Sequence, residues 1–416
     1  MKTLSRRQFL KASGLLTSMA ALPRWMPRLA FAQPYDNPAG DVLLVIFLRG
    51  GADALNMVVP HGDDTYYAAR PRLAIPRPDA RDEARTLDLD GFFGLHPALA
   101  PLLPIFQAGQ MTAVHAVGST SDTRSHFEAM DFMERGTPDD TSMVSGWVAR
   151  HLASLATDND SPVRGVGWGT ALQQSLATAP STVALKSITD YHLNGDERQA
   201  QAMMQSLMSL YTLGDDALQR SAAATQSASD VVQSVGYARY VSQNGATYPE
   251  TDFALALRQT AALIRADVGL EVACLDLGGW DTHLNQGGTT GRHASLLTQL
   301  ANGMSAFHQD MGPDMRKVTA VVMSEFGRRV AENAGAGTDH GHGGAVFIMS
   351  GNLSTSAVVA DWRGLSPEVL DRGEDIPSTT DFRDVLSTII HQRLGNPNVD
   401  AVFPNYTPEL LSLFQG

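Results

Sequence analysis

The sequence is poor in cysteine, in basic residues relative to acidic ones and in long apolar runs, and each shortage excludes a class of protein. Its single cysteine, Cys274, excludes an intramolecular disulfide and any multi-cysteine zinc or iron–sulfur site. After residue 32, no run approaches the about 18 consecutive apolar residues that a membrane-spanning helix needs. The sequence also lacks a G-x-S-x-G elbow, a Walker A loop and an H-E-x-x-H motif.

Basic residues are scarce relative to acidic ones. There are 31 Lys and Arg against 44 Asp and Glu, which gives a net charge of −13. Such a surface repels phosphate backbones and anionic lipid headgroups. We therefore expect no nucleic-acid partner and no attachment to an anionic membrane surface.

The N-terminal residues have the order of parts found in a twin-arginine export signal. Ser5-Arg6-Arg7-Gln8-Phe9-Leu10-Lys11 is followed by a modestly apolar stretch over 12–22 and by the cleavage pattern Ala30-Phe31-Ala32. A basic amphipathic helix of the folded protein is the alternative, and the order of the parts favours the signal. We predict that residues 1–32 are a signal peptide that the twin-arginine translocase and signal peptidase process. The mature chain, 33–416, would then be periplasmic or secreted, with no membrane span.

The mature chain alternates short apolar runs with helical patterns. The run Asp41–Leu48 is typical of a strand buried on both faces of a parallel sheet. Similar runs occur at Met111–Val114, Thr182–Leu185, Val272–Leu277, Val318–Met323 and Ala345–Met349, and helical patterns at Pro97–Gln107, His126–Arg135, Asp252–Ala266, Ala294–Gln309 and Phe382–Leu394. This alternation predicts one α/β domain with a doubly wound, mainly parallel sheet and helices on both faces. We interpret about 196–245 as a helical insertion and Gly165–Gly169 as a loop.

Four runs dense in functional side chains each follow a predicted strand directly. They are Arg49–Asp53, Ser119–Glu128, Gly278–His283 and Ser324–Gly344. In open α/β sheets the loops after the carboxyl ends of the strands converge on one crevice. The sequence therefore predicts that these runs share a single site.

Two of these runs, Gly278–His283 and Ser324–Gly344, supply the residues from which the sequence predicts a metal site. Asp281 and His283 are two residues apart, so in an extended segment both side chains point to the same side, within reach of one ion. Taken alone, the pair would favour a turn cap and a surface histidine. Asp339, His340 and His342 add a carboxylate and two imidazoles. Together these residues predict an oxygen and nitrogen site for one zinc- or manganese-like ion.

Ser125 immediately precedes a predicted helix. With Glu128 three residues later it forms a capping-box pattern, which by itself explains the serine. The same position suits an anion, because the first N–H groups of a helix and its dipole favour negative charge. Arg124, next to it, has the geometry to hold a phosphate or sulfate. The two interpretations are compatible.

The motifs carry a family resemblance that covers the whole mature chain. The matching residues are Phe47–Asn56, Arg124–Glu128, Gly279–His283, Ser324–Arg328, Gly337–Gly341 and Thr380–Arg383. By these residues the chain resembles the bacterial family called domain of unknown function 1501, which is grouped with the alkaline phosphatase and sulfatase superfamily. The resemblance implies an alkaline phosphatase-like fold and hydrolysis of phosphate or sulfate esters with divalent metals and a Ser, Thr or modified Cys nucleophile.

The resemblance also implies roles for individual residues. Ser125 lies near the nucleophile position, with Arg124 beside it, and Asp281 with His283 looks like an aspartate–histidine metal pair. The residues assigned to binding an anionic ester are Arg49 and Arg328, and the further candidate metal ligands are Asp53, Glu325, Asp339, His340 and His342.

Two departures from the superfamily pattern reduce the expected metal count. Leu48 or Arg49 stands where the superfamily has a metal-binding aspartate, and Glu325-Phe326 replaces an Asp-His pair. We therefore expect one divalent ion rather than two. The hypotheses are an exported ester hydrolase or, alternatively, a non-catalytic binding or scaffold module with a degenerate metal site. The departures favour the second, and the retained polar runs favour the first.

Overall fold

The computed structural model describes residues 41–189, 216–355 and 357–415. In these residues the strands are β1 (Val42–Arg49), β2 (Val58–Val59), β3 (Leu87–Asp88), β4 (Gly94–Leu95), β5 (Met111–Gly118), β6 (Gly165–Trp168), β7 (Thr182–Leu185), β8 (Val272–Gly278), β9 (Val318–Ser324), β10 (Gly344–Ser350), β11 (Val358–Val359) and β12 (Thr380–Asp381). The α-helices are α1 (Ala54–Met57), α2 (Asp64–Ala69), α3 (Leu103–Gln107), α4 (His126–Arg135), α5 (Trp147–Ser154), α6 (Asp216–Ser234), α7 (Asp252–Arg265), α8 (Arg292–Met311), α9 (Phe382–Gln392) and α10 (Val399–Val402). No helix in this described part is long and apolar enough to cross a membrane.

One large sheet organises the described residues. Its strand order is β11-β5-β10-β9-β1-β8-β6-β7, with β12 also paired to β5, and a small second sheet has the order β2-β4-β3. In the large sheet β10 is antiparallel to β5 and β9, whereas the remaining pairings are parallel. The carboxyl ends of β1, β5, β8 and β9 therefore share one edge, and β10 begins at that edge. The predicted mainly parallel α/β sheet is confirmed.

Strand β1 lies in the middle of the large sheet, between β9 and β8, and is apolar on both faces. Leu44, Ile46 and Leu48 pack in one core with residues of α7 and α8. The alternate residues Val45 and Phe47 pack in a second core with residues of α4, α5 and α9. Successive strand residues point to opposite faces, so the run buries both sides of the sheet, and each large side chain contributes roughly 1.5–3 kcal/mol. The predicted helices on both faces are confirmed.

One prediction about local structure is confirmed with a change of helix type and another is wrong, and proline and glycine explain the two outcomes. The expected helix Pro97–Gln107 is a 3₁₀ helix over Pro97–Leu102 followed by α3, with Pro101 inside the 3₁₀ segment. The expected loop Gly165–Gly169 is largely strand β6. A Cβ on Gly165 would lie 2.5 Å from Thr182 Cγ2 of β7, so the glycine permits close pairing there.

The predicted helical insertion is described only in part. Residues 216–234 form α6. The remainder of the expected insertion before Asp216 lies outside the described residues.

Candidate metal centre

The four polar runs do meet at the carboxyl edge of the sheet. The Trp280 N–H donates to the Arg49 carbonyl oxygen at 3.3 Å, which joins the segments after β8 and β1. The Gly50 N–H donates to Glu325 Oε1 at 2.8 Å, which joins the segments after β1 and β9. These contacts arise because β1 lies between β8 and β9 in the sheet.

The centre of the site is Oδ1 of Asp281. The Nε2 atoms of His283, His126 and His340 lie 3.1, 3.4 and 3.5 Å from it, and the Arg328 Nη2 lies at 2.8 Å. His283 Nε2 is also 2.9 Å from His340 Nε2. Ligand atoms of His126, Asp281 and His340 all lie within 4.8 Å of one another, so these three residues form a group that is able to hold a metal ion.

The second nitrogen of each ring has an oxygen acceptor. The acceptors are Glu325 Oε1 for His126 (2.7 Å), Asp339 Oδ1 for His283 (3.1 Å) and the Arg124 carbonyl oxygen for His340 (2.8 Å). Carboxylate and carbonyl oxygens only accept, so a hydrogen on each Nδ1 satisfies these contacts, and in that neutral tautomer each Nε2 presents a lone pair to the centre. Metal-binding histidines have this pattern, with an oxygen acceptor on the outer ring nitrogen.

The positions of the Nε2 atoms show whether a metal ion fits between them. Two neutral Nε2 atoms at 2.9 Å repel each other unless a proton or a cation stands between them. The Nε2 of His126 is buried and has no hydrogen-bond partner. Zinc–nitrogen bonds of about 2.0–2.1 Å in a tetrahedron place neighbouring ligand atoms about 3.3 Å apart. The Nε2 separations of His126 and His340 from Asp281 Oδ1 are close to this value, so these three residues fit a small divalent ion such as zinc. His283 Nε2, at 2.9 Å from His340 Nε2, is closer than two ligands of one such ion would be.

The charges around Asp281 keep it ionised. Burial acts to raise its pKa, but the guanidinium of Arg328 outweighs burial and lowers the pKa to about 2. The hydrogen bond to Glu325 raises the pKa of His126, whereas burial, together with Arg328, lowers the pKa of His340. The site therefore combines one permanent carboxylate with imidazoles of different basicity.

Access to the cluster is uneven. Side-chain exposure is 47% for Asp281 and 38% for His283, but 22% for His340 and 19% for His126. The Phe326 ring covers the inner side, with its centre 4.9 Å from the ring centres of both His126 and His340. A solute would therefore reach the cluster from the Asp281 and His283 side.

Glu325 and Asp339, both proposed as ligands from sequence, contact the cluster through histidines. Glu325 is 2% exposed and accepts hydrogen bonds from His126 and from the Gly50 N–H. Asp339 accepts from His283 and from Asn333, and the Asn333 hydrogen bond lowers its pKa. Both carboxylates orient imidazoles in the described structure.

Asp53 and His342 lie elsewhere. Asp53 is 1% exposed and accepts from Arg70 and Gln286, each at 2.6 Å. His342 Nε2 donates to the Ser119 carbonyl oxygen at 2.8 Å, and its Nδ1 lies 3.4 Å from Asp371. The structure therefore brings His340 into the cluster and turns His342 away from it.

The arginines expected to bind an anion are paired. Arg49 contacts Glu134 and Asp276 at 3.0 and 2.9 Å. Arg328, 1% exposed, donates to Asp281 and to carbonyl oxygens including that of Gly51. The guanidinium of Arg124 is paired with buried Asp375.

Ser125 is the N-cap residue of α4, as predicted, but the capping box is wrong. Its side chain accepts no capping hydrogen bond. Glu128 instead accepts from the Thr123 hydroxyl at 2.6 Å, and the Ser125 N–H donates to Thr123 Oγ1 at 3.3 Å. The serine hydroxyl beside His126 is therefore not used as a cap.

His126 is the candidate ligand that sequence reasoning missed. It is the first residue of α4, directly after Ser125 in the strand-end run Ser119–Glu128. The available signal was its position: it follows β5, at the same sheet edge as the other candidate ligands.

Asp281, His283, His340 and the newly found His126 all lie inside a segment, 41–399, that matches a protein family model described as "Protein of unknown function (DUF1501)". The chain belongs to the DUF1501 family. A search of curated proteins found no match to the chain. The candidate metal centre of this DUF1501 protein is therefore interpreted from its own geometry.

Proposed function

We propose that this protein is an exported hydrolase of phosphate or sulfate esters that holds one divalent, zinc-like ion. The proposed ligands are His126, Asp281, His283 and His340. The observation that carries the proposal is the convergence of three imidazole Nε2 atoms on Asp281 Oδ1, each with its Nδ1 bonded to an oxygen. When bound, such an ion would act as a Lewis acid and polarise an ester oxygen.

The protein's own residues supply the remaining functions. Ser125 presents a hydroxyl that is free of capping, next to a ligand of the proposed ion. The first N–H groups of the ten-residue helix α4 would hold anionic ester oxygens. Ser125 would attack the phosphorus or sulfur atom and release an alcohol, and water would then hydrolyse the seryl ester. Phe326 would keep water from the inner side of the cluster.

The alkaline phosphatase-like fold is part of the proposal. Its support is the Asp281–His283 pair after β8 and Ser125 after β5, at one edge of a mainly parallel sheet. The departures at Leu48 or Arg49 and at Phe326 support one ion rather than two. Export is likewise proposed, from the twin-arginine pattern of residues 5–11.

Metal analysis and turnover together test the proposal. Protein purified from its export route should contain about one equivalent of zinc or manganese, and less than about a tenth would contradict it. The wild type should hydrolyse an aryl phosphate or an aryl sulfate. Ser125→Gly should abolish turnover and stay folded, because the serine hydroxyl makes no capping hydrogen bond that the variant could lose and glycine is well accepted at an N-cap. The matched control Thr123→Val should stay active, and full activity of Ser125→Gly would reject the nucleophile.

A non-catalytic binding module is the second candidate, and one observation favours it. Arg49, Arg124 and Arg328 are each paired with carboxylates, so a bound anion would meet no unpaired guanidinium among these three. Metal-loaded protein that turns over neither ester class would support this candidate over the hydrolase.

A further inference from the structure

A set of buried polar side chains lies beneath the metal centre and takes no part in the proposed chemistry. Thr282, Gln286 and Thr338 are each 0% exposed. Gln286 Oε1 is 2.9 Å from Thr282 Oγ1 and 2.7 Å from Thr338 Oγ1. We call these three side chains the Gln286 bridge. Burying this much polar surface is costly unless every group is bonded, so the arrangement calls for an explanation.

The Gln286 bridge joins the two segments that carry most of the ligands. Thr282 lies between Asp281 and His283, and Thr338 lies two residues before His340. The segments also touch directly, since the Thr338 N–H donates to the Thr282 carbonyl oxygen at 3.3 Å. A shift of either threonine would therefore move ligand atoms on its own segment.

The direction of each hydrogen bond in the bridge is determined by Asp53. The Nε2 of Gln286 donates to Asp53 Oδ2 at 2.6 Å, and a carboxylate only accepts, so the amide oxygen must face the threonines. Both threonine hydroxyls then donate to it. Asp53 is itself held by Arg70, which is 0% exposed and also donates to the Val330 carbonyl oxygen at 2.8 Å. Asp53, held by Arg70, therefore keeps the Gln286 amide in place.

We infer that Gln286 is a positioning residue that fixes the separation of the Asp281–His283 and Asp339–His340 segments, so that their ligand atoms are placed before an ion binds. This role depends on the proposed metal site, because Gln286 would keep the ligand segments of that site in position. Outer partners of metal ligands commonly change affinity by about 10–100-fold when they are lost. In the described structure the bridge bonds to none of the ligand side chains and acts through the backbone of their segments, so breaking either side of it should raise the zinc Kd by the lower end of that range, about tenfold.

Isosteric variants test the inference with zinc itself as the probe. Thr282→Val and Thr338→Val each keep the side-chain shape and remove one donor to Gln286. The zinc Kd, measured by competition with a chromogenic chelator, should rise by about tenfold or more in each. Thr282→Ser and Thr338→Ser keep the hydroxyl and should bind zinc within about twofold of the wild type.

The matched control is Thr260→Val on α7. Thr260 is also 0% exposed, and its hydroxyl accepts from Trp168 and donates to the Ala256 carbonyl oxygen, both at 2.8 Å. It should lower the apoprotein Tm, as the bridge variants do, and leave the zinc Kd unchanged. Bridge variants that lose Tm but keep wild-type zinc affinity overturn the inference alone. A wild type that binds no zinc overturns the proposed function and the inference together.

Discussion

Acid should destabilise this protein partly through His151, and the size of that effect follows from its surroundings. His151 on α5 is 1% exposed, and its Nδ1 lies 3.1 Å from the Asn396 amide nitrogen. An amide N–H only donates, so this contact requires the neutral ring. Burial, with a smaller contribution from Arg164, lowers the pKa of His151 from 6.5 to about 4.

The sign and magnitude follow from proton linkage. Between these two pKa values the unfolded chain binds more protons at this position than the folded chain, so the contribution to stability is lost as pH falls from 6.5 towards 4. At about pH 5 the unfolded histidine is almost fully protonated and the folded one about a tenth, a difference worth about 2 kcal/mol. Near pH 7.5 the difference vanishes.

The perturbation is His151→Asn, which keeps an acceptor near Nδ1 and removes the titrating ring. The cavity lowers the stability of the variant at every pH, so the informative quantity is its difference from the wild type at two pH values. We expect urea unfolding, followed by tryptophan fluorescence with chelator present, to show this difference shrinking by about 2 kcal/mol from pH 7.5 to pH 5. Groups common to both proteins cancel. A difference that changes by less than about 0.5 kcal/mol would refute the reasoning.

Three further predictions concern the metal centre, the single cysteine and export. His126→Ala should weaken zinc binding by about 100-fold or more, because it removes a ligand and not an outer partner of a ligand. The control His342→Ala should bind zinc like the wild type. Equal effects of the two substitutions in isothermal titration would contradict the assignment. Cys274 is 1% exposed and burial raises its pKa, so a thiol reagent should label it only in denaturant; rapid labelling of the native protein would oppose this. Replacing Arg6 and Arg7 with Lys should leave uncleaved precursor in the cytoplasm, and normal export seen by immunoblot would defeat the signal assignment.

The strands were predictable where burial on both faces produces a continuous apolar run, as in β1. The sequence was less informative about β6, because Gly165 and Gly167 read as loop residues until the neighbouring strands that require them are known. The antiparallel direction of β10 was not predictable either, since a central strand is apolar whichever way it runs.

In the site, spacing predicted which side chains reach the sheet edge, but not where they point. Asp281, His283 and His340 were expected at the metal and lie together. His342 is two residues from His340, just as His283 is two residues from Asp281, yet the chain turns between the two histidines. Gly341 packs so closely on the Arg328 backbone that a Cβ on Gly341 would lie 2.4 Å from the carbonyl carbon of Arg328. His126 was overlooked because its neighbour Ser125 offered the more obvious chemistry. Side-chain direction at loops depends on packing that periodicity does not encode.

The meeting of the strand-end segments has a consequence for how the protein matures. The candidate ligands of the cluster are at positions 126, 281 and 340, so about 200 residues of chain separate the first from the last. In an unfolded or partly folded chain, bringing these three positions together is unfavourable, because closing loops of that length loses conformational entropy. Tight zinc binding should then appear only after β1 has joined β8 to β9 and β10 has joined β9 to β5. The time at which zinc binds during refolding would therefore report when the sheet is complete.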